Sequence, residues 1–140
     1  MIREFEKEDL KKVAEIWLNS NITVHDFIKK DYWQNNFETV QLMFLETKIF
    51  VYEESSEIQG FIGLRGDYIE GIFVAEKMRS KWIGKKLLDF VKEDNLELTL
   101  KVYEKNERAI KFYQREGFKK VEEGIDTDTQ EKEFKMKWKK

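Results

Sequence analysis

The spacing of apolar residues changes period along this chain, and each change marks the border of an element. Residues 2–5 alternate apolar and charged side chains, as a half-exposed strand does. From Glu8 the period becomes helical: Leu10, Val13, Ala14, Trp17 and Leu18 share a face, and Asn19-Ser20-Asn21 ends the run. A second helical region follows Thr23. Phe27 and Ile28 belong to a short first piece, while Tyr32, Trp33, Phe37, Val40, Gln41, Phe44 and Leu45 mark the inner face of a longer one. Residues 48–53 read as a strand, Ser55-Ser56-Glu57 as a turn and 58–65 as the returning strand of a hairpin. Gly66-Asp67 then turns the chain into a strand over 68–74.

That strand runs through a short basic turn into an amphipathic helix. Ile83, Leu87, Leu88, Phe90 and Val91 take one side of it, and Lys85, Lys86, Asp89 and Lys92 the other. Period two returns over 96–103, where Leu96, Leu98, Leu100 and Val102 alternate with Glu97, Thr99 and Lys101. A helix over about 106–116 follows, with Asn106 suited to its N-cap and Gly117 to the left-handed position after its end. Strands over 118–125 and 132–138, joined by a polar turn at 126–130, complete the chain. The order β-α-α-β-β-β-α-β-α-β-β predicts an α+β fold: a mixed, mostly antiparallel sheet of six to seven strands with helices on both faces.

Composition narrows what such a fold can do. At 140 residues the chain reads as one domain over residues 1–140. Acidic and basic residues nearly cancel, for a net charge of −2, which argues against nucleic-acid binding through bulk charge. Without cysteine there is no disulfide, thiolate metal site or cysteine nucleophile, and His25 as the single histidine leaves no basis for a metal site. No apolar run is long enough to span a membrane and no signal-peptide core is visible, so the expectation is a cytoplasmic protein with no membrane partner.

Two stretches carry candidate chemistry. In Arg79-Ser80-Lys81-Trp82-Ile83-Gly84-Lys85, a strand delivers the chain to a helix N-terminus, where free N–H groups and the positive end of the helix dipole meet. Cations there oppose the dipole, so Arg79, Lys81 and Lys85 together call for a multiply charged anion such as a pyrophosphate. In Asn106-Glu107-Arg108-Ala109-Ile110-Lys111-Phe112-Tyr113-Gln114-Arg115-Glu116-Gly117-Phe118, patterning alone makes Asn106 a cap and Ala109, Phe112 and Tyr113 core. Phe118 then packs back on Tyr113 at a glycine-terminated helix end.

Taken together and in this order, the two stretches resemble the GNAT superfamily of acetyl-CoA-dependent N-acetyltransferases, and the resemblance covers the whole chain. The later stretch matches at Asn106, Ala109, Phe112-Tyr113 and Gly117-Phe118. The earlier one matches the family's Arg/Gln-x-x-Gly-x-Gly/Ala signature at Arg79 and Gly84 and departs from it at Trp82, where glycine is usual. The resemblance implies acetyl-CoA as co-substrate, with the backbone of Arg79, Ser80, Lys81, Trp82, Ile83, Gly84 and Lys85 around its pyrophosphate. It implies the strand of Ile72, Phe73 and Val74 along the pantetheine arm, the next parallel strand splayed away, Asn106 on the pantetheine and Tyr113 near the thioester sulfur. For Trp82 the expectation is ordinary helical dihedrals, with the ring pointing outward to stack on adenine.

The function this implies is transfer of an acetyl group to a primary amine of a small molecule or peptide, by direct attack in a ternary complex. A tyrosine hydroxyl is chemically suited to protonate a departing thiolate, which makes Tyr113 the candidate acid. Glu70, on the strand entering the motif, and His25, beside Asp26 in the loop between helices, are both candidate bases. Acceptor contacts are expected from residues 20–32 and from the turn at 124–132, where Asp26, Asp31, Asp126 and Asp128 suit a cationic amine. The terminal lysines 135, 137, 139 and 140 read as edge-strand protection against aggregation. Two other readings stay open: a catalytically inactive coenzyme-A-binding sensor, and a ligand-free interaction domain using Trp17, Trp33 and Trp138. A homodimer is compatible with either.

Overall fold

The computed structural model describes residues 1–79 and 81–140, leaving Ser80 outside the described residues. Among these the strands form one seven-stranded sheet in the order β1-β2-β3-β4-β5-β7-β6, antiparallel except where β4 meets β5. The strands are β1 (Ile2–Glu4), β2 (Lys48–Glu54), β3 (Glu57–Arg65), β4 (Tyr68–Val74), β5 (Glu97–Tyr103), β6 (Lys119–Ile125) and β7 (Lys132–Lys139). The sequence pattern placed all of them within a residue or two, although β6 is exposed along its whole length. Ser55 and Ser56, both at positive φ, make the tight turn between β2 and β3.

One apolar layer packs beneath helices α1 (Leu10–Val24), α2 (Lys30–Asn35) and α3 (Phe37–Phe44), around Val13, Trp17, Trp33, Val51 and Phe61. The other lies beneath α4 (Ile83–Glu93) and α5 (Glu107–Arg115), around Ile62, Leu87, Leu88, Leu98 and Met136. Arg3 ties the first layer's margin together. Its guanidinium holds buried Asp9 through two bonds of 2.8 and 3.0 Å and reaches Glu53 at 2.9 Å, so no charge is buried alone.

The helical region before β2 departs from the pattern's borders. Asn19-Ser20-Asn21 does not end α1, which runs on to Val24. Asn21 donates from Nδ2 to the Trp17 carbonyl at 2.9 Å, one turn back, so the polar side chain is satisfied within the helix. Phe27 and Ile28 form no helix, and the single long helix expected after them is two, broken at Asn36. Trp17 and Trp33 are buried and Trp138 packs on the α4–α5 layer, which removes the surface that a tryptophan-based interaction domain needs. β7 lies between β5 and β6, so its lysines are not edge-strand lysines; Lys137, for example, pairs with Glu97 across β5 at 3.1 Å.

Two features position the site. Among the described residues, β4 and β5 pair only at Tyr68–Thr99 and Ile69–Leu100, then separate. At this opening, directly after Ile69, a register shift against Gly63 and Leu64 leaves Glu70 as the extra residue of a bulge, where a strand bends. Gly60 permits the close approach behind it. A Cβ there would lie 2.9 Å from the Phe73 carbonyl oxygen and 3.1 Å from Ile83 Cγ2.

Candidate active site

The gap between β4 and β5 opens into a cavity of about 760 Å³. Hydrogen-bonding groups alternate along a strand edge, and on β4 the alternation can be read directly. Ala75 N–H donates to Gln59 O on β3, and the Phe73 carbonyl also faces β3. The Val74 carbonyl faces the gap, where it accepts from Ser20 Oγ at 3.3 Å. The main-chain groups of Ile72 and Val74 are therefore the ones turned to the cavity, while those of Phe73 belong to the β3–β4 ladder. Phe73 contributes its ring, stacked on Phe61 under α1.

At the near end of the cavity the chain reaches α4 through Trp82. This residue is the helix N-cap at φ 65°, ψ 11°, in the left-handed region. The expectation of ordinary helical dihedrals is thus corrected: the backbone at this position is left-handed, with an indole where the family signature has glycine. The ring does point outward, 67% exposed. Beyond it, the N–H groups of Ile83, Gly84 and Lys85 begin the helix without intrahelical acceptors. A Cβ on Gly84 would meet Ile72 and Phe112 at an ordinary 3.8 Å, so the first turn is open rather than crowded.

The cations are arranged differently from the expectation. Arg79 lines the cavity and donates to Ser20 Oγ at 3.3 Å. Lys81 is exposed on the turn, and the Ser80 expectation falls outside the described residues. Lys85 Nζ is held by Glu116 at 3.0 Å and by Asp89 at 3.1 Å, so its charge is already balanced and does not demand an anion. Instead, Arg108, Lys111 and Arg115, three and four residues apart on α5, line the same cavity. The sequence contained that spacing, but helical patterning treats such a stripe as an ordinary solvated face.

Asn106 caps α5 as expected, its Oδ1 accepting from Ala109 N–H at 3.2 Å. Its Nδ2 therefore points away, to His25 Nε2 at 3.2 Å. His25 Nδ1 lies 3.0 Å from Asn21 Oδ1, which is the acceptor end of that amide because Asn21 Nδ2 donates to Trp17. The chain of bonds fixes one tautomer: His25 is neutral, with the proton on Nδ1, and Nε2 accepts from Asn106. Burial pushes the His25 pKa down to about 4, against a smaller opposing effect of Asp26. The ring is stacked on Trp33 and edge-on to Tyr103.

Tyr113 lines the cavity from α5 and is 8% exposed. Burial, then the proximity of Tyr68, raises its pKa, so the hydroxyl stays protonated. The helix end below it is fixed by Phe118 N–H to Tyr113 O at 2.9 Å and Gly117 N–H to Gln114 O at 3.1 Å, with Gly117 at φ 94°. Both candidate bases, His25 and Glu70, line the cavity, and Glu70 pairs with Arg65.

Over residues 5–139 the chain matches the acetyltransferase (GNAT) domain family. The chain belongs to the GNAT acetyltransferases. It is 36% identical to the peptidyl-lysine N-acetyltransferase YiaC of Escherichia coli (strain K12), over 99% of this chain and 96% of the relative. Its fold superimposes on the apo form of YjaB from Escherichia coli with a TM-score of 0.88 and 26% identity, covering 99% and 96% of the two chains. It also superimposes on the putative acetyltransferase yncA from Salmonella typhimurium, solved with its cofactor acetyl-CoA. That match has a TM-score of 0.69 and 18% identity, over 99% of this chain and 92% of the other.

This GNAT protein is an acetyl-CoA-dependent N-acetyltransferase, and its cavity is chemically suited to that donor. The turned-out groups of Ile72 and Val74 match the amides of a pantetheine arm, and the α4 N-terminus with Arg79 matches a pyrophosphate. Residues that patterning passed over complete the far wall: Tyr68, Lys101 and Glu133. Each sits in an alternating strand as an outward polar residue, a position that carries no signal until a neighbouring strand moves away.

Trp82 gives a direct test of the backbone. A left-handed non-glycine residue costs about 1–2 kcal/mol, and glycine in the same place costs part of that back through the unfolded chain. Trp82→Gly is expected to stabilise the fold by roughly 1 kcal/mol, read as a higher urea midpoint at unchanged slope. A lower midpoint would mean that the exposed ring is held by contacts stronger than its backbone strain.

Proposed function

We propose that this protein acetylates the ε-amine of lysine in peptides or proteins, as a single domain over residues 1–140 working in the cytoplasm. The observation that carries this reading is one cavity lined by side chains of both signs. Arg79, Arg108, Lys111 and Arg115 suit the phosphates of the donor; Glu70 and Glu133 suit a cationic acceptor, with Tyr113 also on the wall. The 36% identity to a relative named for peptidyl-lysine acetylation supports the same acceptor.

Acetyl-CoA supplies an acyl group activated as a thioester. The protein holds that donor along β4 and turns Asn106, Ile72 and Val74 toward its arm. Tyr113, kept protonated, donates a hydrogen bond and then its proton to the sulfur as it departs. The burial that raises the tyrosine pKa also disfavours a thiolate in the same place, so donor and acceptor rise together. His25 orients Asn106 rather than serving as base, since its Nε2 is occupied and its pKa lies near 4. Trp82, outward at the cradle, offers a face for adenine.

Free-thiol release from acetyl-CoA, measured with a lysine peptide blocked at its N-terminus and with an unblocked peptide that lacks lysine, tests the reading. Saturable release with mass-confirmed ε-acetylation is expected. Acetylation confined to free α-amines would replace lysine as the acceptor. Coenzyme A binding without transfer to either amine would leave the inactive carrier-binding module.

A further inference from the structure

Five polar residues from three different strands line the cavity: Tyr68 and Glu70 of β4, Lys101 and Tyr103 of β5, and Glu133 of β7. β7 is separated from β4 by β5, yet Glu133 reaches the cavity because β5 leaves β4 after Leu100. Its register partner on β5 is Tyr103, whose hydroxyl is turned away to Asp126 Oδ2 at 2.6 Å. The two carboxylates of the wall are not equivalent. Glu70 is committed to the Arg65 guanidinium. Glu133 is less exposed, at 17% of its side chain, and its nearest cation, Lys101 Nζ, stands off at 3.8 Å. A loosely paired carboxylate facing a cavity has a place for a second ammonium.

Resting on the peptidyl-lysine reading, we infer that Glu133 receives the acceptor's ε-ammonium in this cavity and takes the proton that must leave before the nitrogen can attack. Burial raises the Glu133 pKa, opposed by Lys101 and reinforced by Asp126, which brings its basicity closer to that of its task. Tyr68, whose pKa is pushed up to about 12 by burial and then by Glu70 and Glu133, stays a neutral hydrogen-bonding group beside it.

The protons balance. The ammonium gives one proton to Glu133, which passes it to water at the cavity mouth. The nitrogen–carbon bond then forms as the carbon–sulfur bond breaks, and Tyr113 protonates the sulfur. The second proton lost from nitrogen makes good the one Tyr113 gave. The products are the N-acetyl-lysine, the free thiol and one proton released.

The test compares Glu133→Gln with the unmodified protein on two peptides at pH 7. One carries lysine; in the other the side-chain amine is replaced by an aminooxy group, which is neutral at that pH and needs no proton removed before attack. Glu133→Gln is expected to lower kcat/KM on the lysine peptide by about 100-fold and on the aminooxy peptide by less than about threefold. An equal loss on both peptides, or no loss on lysine, overturns the inference and leaves lysine acetylation standing. If the unmodified protein acetylates the aminooxy peptide and not lysine, or neither, the peptidyl-lysine reading fails and Glu133's role falls with it. An unchanged thermal midpoint for Glu133→Gln shows that any loss arises in the site.

Discussion

Tyr113→Phe lowers kcat about 100-fold and leaves the KM for acetyl-CoA within about twofold. The ring is kept, so the packing of residue 113 on Phe118 (ring centroids 5.5 Å apart) and the glycine-terminated helix end are undisturbed. What is lost is one hydroxyl on the cavity wall. The donor contacts proposed above lie elsewhere, on the β4 edge, at the α4 N-terminus and on Asn106, so affinity is expected not to depend on that oxygen. A hydroxyl that only filled space would give a variant with full turnover. A hydroxyl that bound the donor would raise KM and spare kcat. Steady-state rates at saturating and limiting acetyl-CoA separate the three cases.

Between pH 6.5 and pH 4 the native protein loses roughly 3 kcal/mol of stability through His25 alone. In the unfolded chain this side chain takes up a proton at its ordinary value of 6.5, whereas in the fold it stays neutral down to about 4. Over that window the unfolded state binds more protons, so stability falls as pH falls; above 6.5 the contribution is fully present. The physical cause is burial, and the bond chain adds geometry to it. A proton on Nε2 would face the Asn106 amide, itself a donor at 3.2 Å. Carboxylates titrate in the same range, Asp9 among those held by ion pairs, so the comparison must be with His25→Gln. The difference between the two urea-midpoint profiles isolates the histidine, and parallel profiles from pH 7 to 4 would show that His25 is protonated in the fold without penalty. Because the same chain sets Asn106, the KM for acetyl-CoA is expected to rise over the window in which His25 becomes charged.

Much of the site was readable in the sequence where a local rule applies. Asn106 and Gly117 are cap residues, and the bonds they make in the structure are the ones their positions demand. Gly71 to Val74 and the turn after them were readable as a strand feeding a helix. Where local rules met a tertiary demand, they gave the wrong border. Asn19-Ser20-Asn21 has the composition of a helix end, yet Ser20 and Asn21 are buried inside α1, bonded to Arg79, Val74, Trp17 and His25. Polar residues there build the cavity wall, a use that composition cannot distinguish from termination. Lys85 shows the converse. It sits in the basic turn by sequence, and Glu116, far along the chain, neutralises it.

The sequence by itself determined the order of elements, the two-sided core and the placing of Tyr113 on a capped helix, because burial imposes a period on residues close in the chain. Hydrophobic spacing left three things to tertiary structure, the first of them implied beforehand only by the family resemblance. Tertiary structure parted β4 from β5 after two residue pairs, held Trp82 left-handed, and brought Glu133 across from β7 to the wall that Tyr68 and Glu70 share. Each depends on how separate strands settle against one another. Hydrophobic spacing reports which side of a strand is buried, and it is silent on where two strands stop touching.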